Sequence, residues 1–423
     1  MGLLLTGGIV VVPLENTQKE WDILIENGVI TAMGSELRQT GHTVRKVKGY
    51  ILPGLIDVHV HLREPGQIHK ETIESGTRAA AAGGFTQICA MPNTIPVLDT
   101  PELIREVIVK AQQFGYATVH PIAAITRAEQ GEELTDFFAL KQAGAVALSD
   151  DGRGVQSANV MFQALLQATV LHLPVAVHAE DNSLAAGGHM HAGKVAQELG
   201  VKGIPGVAET SMIARDMWLA QEANAHLHLC HVSPAAAVAA IRQGKALGLP
   251  ITAEVTPHHL LLTEDAVREW GANAKVNPPL RAEADRLACI QGLLDGTLDL
   301  VATDHAPHTQ AEKAKGLAAA PFGLVGLETS FPLLYTAFVK SGILTLPELV
   351  YKMSTRPAQV FHLAGGTLEI GGVADLTIID PDTMHSVTPE SFYSQGRNTP
   401  FAGRELVGWP VMTIHKGQVV YER

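Results

Sequence analysis

Hydrophobic and polar positions change rhythm twice along the chain. Over residues 1–50 they alternate in short runs, as in WDILIENGVITAMG, where Asn27-Gly28 supplies the two left-handed positions of a hairpin turn. The alternation returns at the other end, in VADLTIIDPD (373–382) and VMTIHKGQVVYE (411–422). Neither end offers enough apolar surface to stand alone, so the two are expected to pair into one small composite β-sandwich domain.

Between them the texture becomes apolar strand, loop and helix, repeated. Runs rich in apolar residues mark strands buried on both faces. They fall at 55–60, 85–90, 117–123, 145–148, 174–177, 225–230, 251–255 and 298–302. Helical periods separate most of them. TPELIREVIVKAQQFG opens with Thr100 as a cap and Pro101 in the first turn, and Gly115 stops it. Ser233-Pro234 repeats that opening before AAAVAAIRQGKALG. Eight buried strands alternating with helices predict an α/β fold, a (β/α)8 TIM-like barrel. Two or three helices at about 326–363 lead back to the β-domain. The expected organisation is 1–52 for the N-terminal part of the β-domain, 53–363 for the barrel and 364–423 for the C-terminal part.

Composition narrows the function without naming it. With 46% hydrophobic and 17% charged residues the chain is globular. A net charge of -12 argues against nucleic acid or an anionic membrane as the main partner, yet allows a locally positive pocket for a small anion. Cys89, Cys230 and Cys289 are scattered, which excludes a disulfide framework or a thiolate zinc site and fits a reducing compartment. No apolar run reaches the ~20 residues needed to span a bilayer. The opening MGLLLTGGIVVVPLEN has no basic n-region and is expected to be a strand, so a cytoplasmic location is expected.

The 19 histidines gain meaning from where they fall. Catalytic groups of such barrels sit at the C-terminal ends of the strands. The first strand ends in His59 and His61, the fourth in Asp150-Asp151, the fifth in His178, the sixth in His231 and the eighth in Asp304. Side chains two apart on a strand point the same way, so His59 and His61 can face one ion. A lone HxH is more often structural than metal-binding, and His178 or His231 alone would be ordinary core histidines. Their joint placement at strand ends is hard to assign to packing. Imidazole and carboxylate suit zinc and similar ions, and this many ligands suit two metals sharing a bridging carboxylate and a bridging hydroxide. Asp150 is expected to turn away, leaving Asp151 as the ligand, although Gly152 could permit the two to swap. His226 and His228 are expected to lie deeper and to face away from His231. Cys230 is expected to point outward against a helix. His189, His191, His258 and His259 are expected on solvated loops.

The motifs LPGLIDVHVHLREPG (52–66), GGFTQICAMPNTIPVLD (83–99), SDDGRGVQ (149–156), HAEDN (178–182), CHVS (230–233), VNPPLR (276–281), ATDHAPH (302–308) and NTPFAGRELVGWP (398–410) span nearly the whole chain. On these, it resembles the amidohydrolase superfamily and, within it, the bacterial type I dihydroorotases. The resemblance implies that His59, His61 and Asp304 hold one zinc, that His178 and His231 hold the second, and that Asp151 bridges them. It implies substrate contacts from His61, Arg63, Asn93, Asn277 and His308, with the Phe322-Gly323 backbone closing the far side. Arg63 can fork onto a carboxylate, and the two asparagines offer neutral donors and acceptors to an amide-rich ring. Many relatives bridge their metals with a carboxylated lysine on the fourth strand. Here that strand ends in Asp151 and the nearest preceding lysine is Lys141, so no carboxylated lysine is expected.

The implied reaction is the reversible cyclisation of N-carbamoyl-L-aspartate to L-dihydroorotate plus water, a step of pyrimidine biosynthesis. Asp304 is its expected general base and acid. The polar stretch HTQAEKAKGLAAAPFG after it could be a mobile lid carrying His308, or a static loop. Alternatives are a hydantoinase or allantoinase, and a non-catalytic dihydroorotase-like partner of aspartate transcarbamoylase. A sugar-phosphate barrel would leave the strand-end histidines unused and lacks a glycine-rich phosphate loop. A homodimer is expected, and a complex of an active enzyme with aspartate transcarbamoylase stays open.

Overall fold

Leu55–Val60 and Phe85–Ala90 are buried at every position, which a strand covered on both faces allows. In the computed structural model, which describes residues 2–423, they begin an eight-stranded parallel sheet. Thr118–Ala124, Ala147–Ser149, Val175–Val177, Leu227–Leu229, Ile251–Val255 and Leu300–Val301 follow in sheet order. The sheet closes just beyond the eighth strand, where Val60 bridges His305 and the His61 N–H donates to the His305 carbonyl at 2.8 Å. The observed strands start or stop within two or three residues of the apolar runs that predict them. Ile56, Cys89, Ile122, Ala147, Ala176 and Leu300 fill the interior, while Leu55, Ile88, Leu148, Val175, Leu227 and Val255 pack outward on the helices.

The helix Pro101–Phe114 begins after an extended Thr100 and ends at Gly115, whose φ of 71° is left-handed. The two expected side-chain caps are absent: Thr100 makes no such bond, and Ser233 is diverted. The Ser233 hydroxyl donates to the buried Glu209 carboxylate and accepts from Arg281 Nε at 3.0 Å. Asp285 takes over at the start of Ala235–Ala246, accepting the Ala235 N–H at 2.8 Å. After the barrel, Ser330–Leu334 and Leu346–Val350 each widen into a π-helical turn, and Arg356–Val360 completes the second helix.

Both ends of the chain build the sandwich. A six-stranded sheet runs Gln418–Glu422, Trp409–His415, Leu376–Asp380, Tyr50–Pro53, Ile9–Val12 and Thr17–Glu20. A four-stranded sheet runs Val29–Gly34, Asp22–Glu26, Leu3–Thr6 and Thr43–Lys46. Leu5, Ile23 and Ile30 of the smaller sheet meet Val10, Ile51, Leu376 and Ile414 of the larger. Asn27 and Gly28 turn the hairpin of Asp22–Glu26 and Val29–Gly34 at φ of 51° and 81°, and a Cβ on Gly28 would stand 3.0 Å from the Lys416 carbonyl oxygen. The tips of an N-terminal and a C-terminal hairpin therefore touch. Among the described residues no helix is long and apolar enough to cross a membrane.

Candidate metal centre and substrate pocket

The mouth of the barrel is built from strand ends that the chain bends sharply. Between Asp57 and Val60 the first strand slips register against the second, a bulge that re-aims its side chains. Asp57 itself ties this strand to the end of the eighth, accepting the Thr303 N–H at 3.1 Å and its hydroxyl at 2.5 Å. Burial raises the Asp57 carboxyl to about 7. His231 and Asp304 follow their strands with left-handed backbones, φ of 35° and 47°. That conformation is costly for residues with a Cβ and recurs where function requires it.

These bends bring His59, His61, Asp151, His178, His231 and Asp304 together. Asp151 sits at the centre: its carboxylate oxygens lie 3.5 Å from His59 Nε2, 3.5 Å from His61 Nε2, 3.7 Å from His231 Nε2 and 3.9 Å from His178 Nδ1. Asp304 Oδ1 is 3.1 Å from His61 Nε2 and 3.6 Å from His59 Nε2. Ligand atoms of His59, His61 and Asp151 form one compact group, and those of Asp151, His178 and His231 form another, so Asp151 belongs to both. Asp150 turns away and accepts from the Thr126 N–H at 3.0 Å.

Burial and neighbouring charges act against each other throughout the cluster. Burial alone would raise Asp304, but His61 and His59 more than offset it and hold the carboxylate well below its usual range. Burial and the neighbouring His231 depress His178 to about 4, leaving a neutral imidazole. His59 Nε2, Asp151 Oδ1 and His231 Nδ1 are buried with no hydrogen-bond partner among the described residues. An orphaned buried polar group costs ~1–3 kcal/mol, so several in one place call for a missing partner. Imidazoles around two carboxylates form a donor set that fits a divalent cation. Lys141 is not part of the cluster, for its ammonium bonds the Leu171 carbonyl on the outer layer.

Above this floor opens a cavity of about 300 Å³. Among its lining residues are the other expected substrate contacts: Arg63, Asn93, Asn277, His308, Phe322 and Gly323. Asn93 Oδ1 lies 2.8 Å from His61 Nδ1, and its amide donates to Asp151 Oδ2 at 3.1 Å. Asn277 Nδ2 is 3.3 Å from His178 Nε2. Arg63 Nη2 lies 3.2 Å from His308 Nε2, which is 2.7 Å from the Phe322 carbonyl. Gly323 is forced by space as well as by its φ of 130°: a Cβ there would sit 2.7 Å from Ala306. The segment 305–323 forms two short helices, Gln310–Lys313 and Gly316–Ala319. Lys313 anchors it by donating to the Ala272 and Pro321 carbonyls, both at 2.9 Å, and the Lys275 ammonium stands 4.5 Å over the Phe322 ring.

Three expectations fail here. Cys230 points into the barrel, packed with Ile56, Val58 and Cys89, and not outward onto a helix. His228 also faces the interior, bonding Glu254 and Thr252. Counting alternation from His231 misplaces both, because the left-handed turn at His231 breaks the parity of the strand. His258 and His259 are buried, not solvated: they lie on Pro257–Leu261 directly after the seventh strand, and His259 bonds Thr256 and the Pro278 carbonyl. Sequence reasoning also missed Glu254, Asp57 and Asn398. The first two carry a signal, a lone carboxylate inside a fully buried strand. Asn398 braces the His308 backbone and the Gly323 carbonyl from the C-terminal region, a contact no local pattern announces.

A parallel barrel whose mouth gathers histidines and aspartates around an open pocket is the arrangement of a metal-dependent amidohydrolase. The Amidohydrolase family model matches residues 323–421. The structure superimposes on the L-hydantoinase (dihydropyrimidinase) from Arthrobacter aurescens with a TM-score of 0.88 at 27% identity, covering 99% of this chain and 96% of that one. A D-hydantoinase structure gives 0.86 at 26% identity, over 100% and 95% of the two chains. Sequence relatives sharpen the class. The Dihydro-orotase-like model matches residues 49–236. A dihydroorotase of Geobacillus thermodenitrificans is 53% identical over 95% of this chain and 94% of its own. One of Macrococcus caseolyticus is 50% identical over 100% and 99%. The chain belongs to the dihydroorotase family.

Proposed function

We propose that this chain is a dihydroorotase of the bacterial type I kind, closing N-carbamoyl-L-aspartate to L-dihydroorotate with loss of water and reopening the ring. The observation that carries the substrate is Arg63. Its buried guanidinium lines the same pocket as the histidines and aspartates, beside His308. A cation there matches a ring that bears a carboxylate while its amide faces the floor. Hydantoinases share the barrel at far lower identity than the dihydroorotase relatives.

In this reading His59, His61 and Asp304 hold one zinc, His178 and His231 hold a second, and Asp151 lies between them without a carboxylated lysine. The metals, when bound, supply the Lewis acidity that makes water nucleophilic near neutral pH and polarises the amide carbonyl. The protein's own groups do the rest. Asp304, kept ionised by its histidine neighbours, accepts the proton of the attacking water and returns it to the departing ring nitrogen. Asn93 and Asn277 orient the ring amides, and Arg63 with His308 fixes the carboxylate. Phe322-Gly323 covers the far edge and excludes water.

The test is the rate at which the zinc-loaded protein opens L-dihydroorotate, measured beside hydantoin, dihydrouracil and allantoin and repeated after chelation. Strong preference for dihydroorotate, lost with the metal and restored by zinc, is the expected result. Preference for another ring would move the protein to a sister activity. No turnover of any of them with metal bound would favour a non-catalytic partner role.

A further inference from the structure

Below the metal-binding floor a line of polar side chains runs down the barrel axis. Glu254, fully buried on the seventh strand, receives His59 Nδ1 at 2.8 Å and the His231 backbone N–H at 3.2 Å on one carboxylate oxygen. Its other oxygen receives His228 Nε2 at 3.0 Å. His228 Nδ1 in turn lies 2.9 Å from the Thr252 hydroxyl, and His226 Nε2 lies 2.9 Å from the same oxygen. We propose that Glu254 is a positioning residue for both halves of the metal centre, held in place by His228 and Thr252. The inference rests on the ligand assignment proposed above.

For a singly protonated His228, hydrogen-bond valence sets the direction of each proton. A metal-bound His59 must present a bare Nε2, so its proton sits on Nδ1 and points at Glu254. The His231 N–H cannot reverse, so the Glu254 oxygen between them accepts twice. His228 then donates from Nε2 to the second oxygen and accepts the Thr252 hydroxyl proton at Nδ1, while His226 donates to Thr252. One carboxylate therefore fixes the tautomer of a ligand on one side and the left-handed backbone of a ligand on the other. Outer carboxylates of this type orient ligating imidazoles and raise their basicity.

The substitution Glu254→Gln makes a specific demand. Its single oxygen must stay between His59 and His231, because the backbone N–H there accepts nothing. Its amide then faces His228 Nε2 and donates to it, which forces the His228 proton over to Nδ1. His59 keeps its tautomer but loses the negative charge behind it. Glu254→Met removes the acceptor altogether.

The experiment measures zinc affinity by competition with a chromogenic chelator, and histidine tautomers by nitrogen-15 NMR of the zinc-loaded protein. Affinity is expected to fall about 10-fold in E254Q and about 100-fold in E254M. E254Q is also expected to carry the His228 proton on Nδ1 where the parent carries it on Nε2. If E254M does not fold, E254Q alone decides. Parental zinc affinity in E254Q overturns the proposal, as does a lowered melting temperature of the metal-free protein with affinity unchanged. A parent protein that binds no zinc would instead overturn the ligand assignment beneath it.

Discussion

Between the sheets of the terminal sandwich, Leu5, Ile23, Ile51, Leu376 and Ile414 meet apolar neighbours. At the mouth of the barrel and directly beneath it, His59, Asp151, His231 and Glu254 are buried too. The first set stabilises the fold through burial, roughly 25 cal/mol for each Å² of apolar surface removed from water. The second set works against it, since desolvated charges and orphaned nitrogens are tolerated only because something else holds them. In the sandwich a side chain matters by its volume. In the mouth it matters by where its lone pairs and protons point.

Four substitutions would break or sharpen that contrast. The largest effect is expected from Asp304→Asn, which keeps shape and removes the proposed base: turnover of dihydroorotate should fall ~1,000-fold with KM little changed. Steady-state kinetics beside a thermal melt would check it, and near-parental turnover would take Asp304 out of the proton path. Ile414→Ala is the converse case. It should lower unfolding free energy by about 3 kcal/mol in denaturant titration while leaving kcat/KM of the folded fraction unchanged. A loss of activity per folded molecule would show that the sandwich and the mouth are coupled.

Arg63→Lys retains the charge but not the fork. It should raise KM for dihydroorotate about 10-fold, with less effect on a cyclic amide lacking a carboxylate. An equal loss on both rings would place Arg63 in the architecture of the pocket and not in recognition. The smallest effect is expected from Gly28→Ala, about 1 kcal/mol, from its left-handed φ and the close Lys416 carbonyl. The midpoint of unfolding would report it, and an unchanged midpoint would mean the two hairpin tips separate freely.

The barrel was legible because strands covered on both faces leave mainly apolar runs, and the polar residues at the ends of five of them stand out. His59, His61 and Asp151 are visible for that reason. The orientation of residues around His231 was not, since alternation assumes an extended backbone and φ at His231 is 35°. Ser233 looked like a helix cap because the residue type is right; the nearby Glu209 and Arg281, distant in sequence, claim its hydroxyl. Glu254 was overlooked because it sits inside a strand rather than at its end. Its partners come from the first and sixth strands, and no window of local sequence contains them.

The order of strands in the larger terminal sheet also bears on how the molecule is made. Tyr50–Pro53 lies directly between Ile9–Val12 and Leu376–Asp380, so a strand translated early lacks one neighbour until more than three hundred further residues have emerged. Contacts of such span form slowly and late. On the ribosome, the nascent chain must carry an unfinished, apolar sheet edge through the synthesis of the entire barrel. A chaperone that shields exposed strands would find its longest-lived client surface there, and a stalled or truncated product would aggregate through that edge while its barrel was already formed.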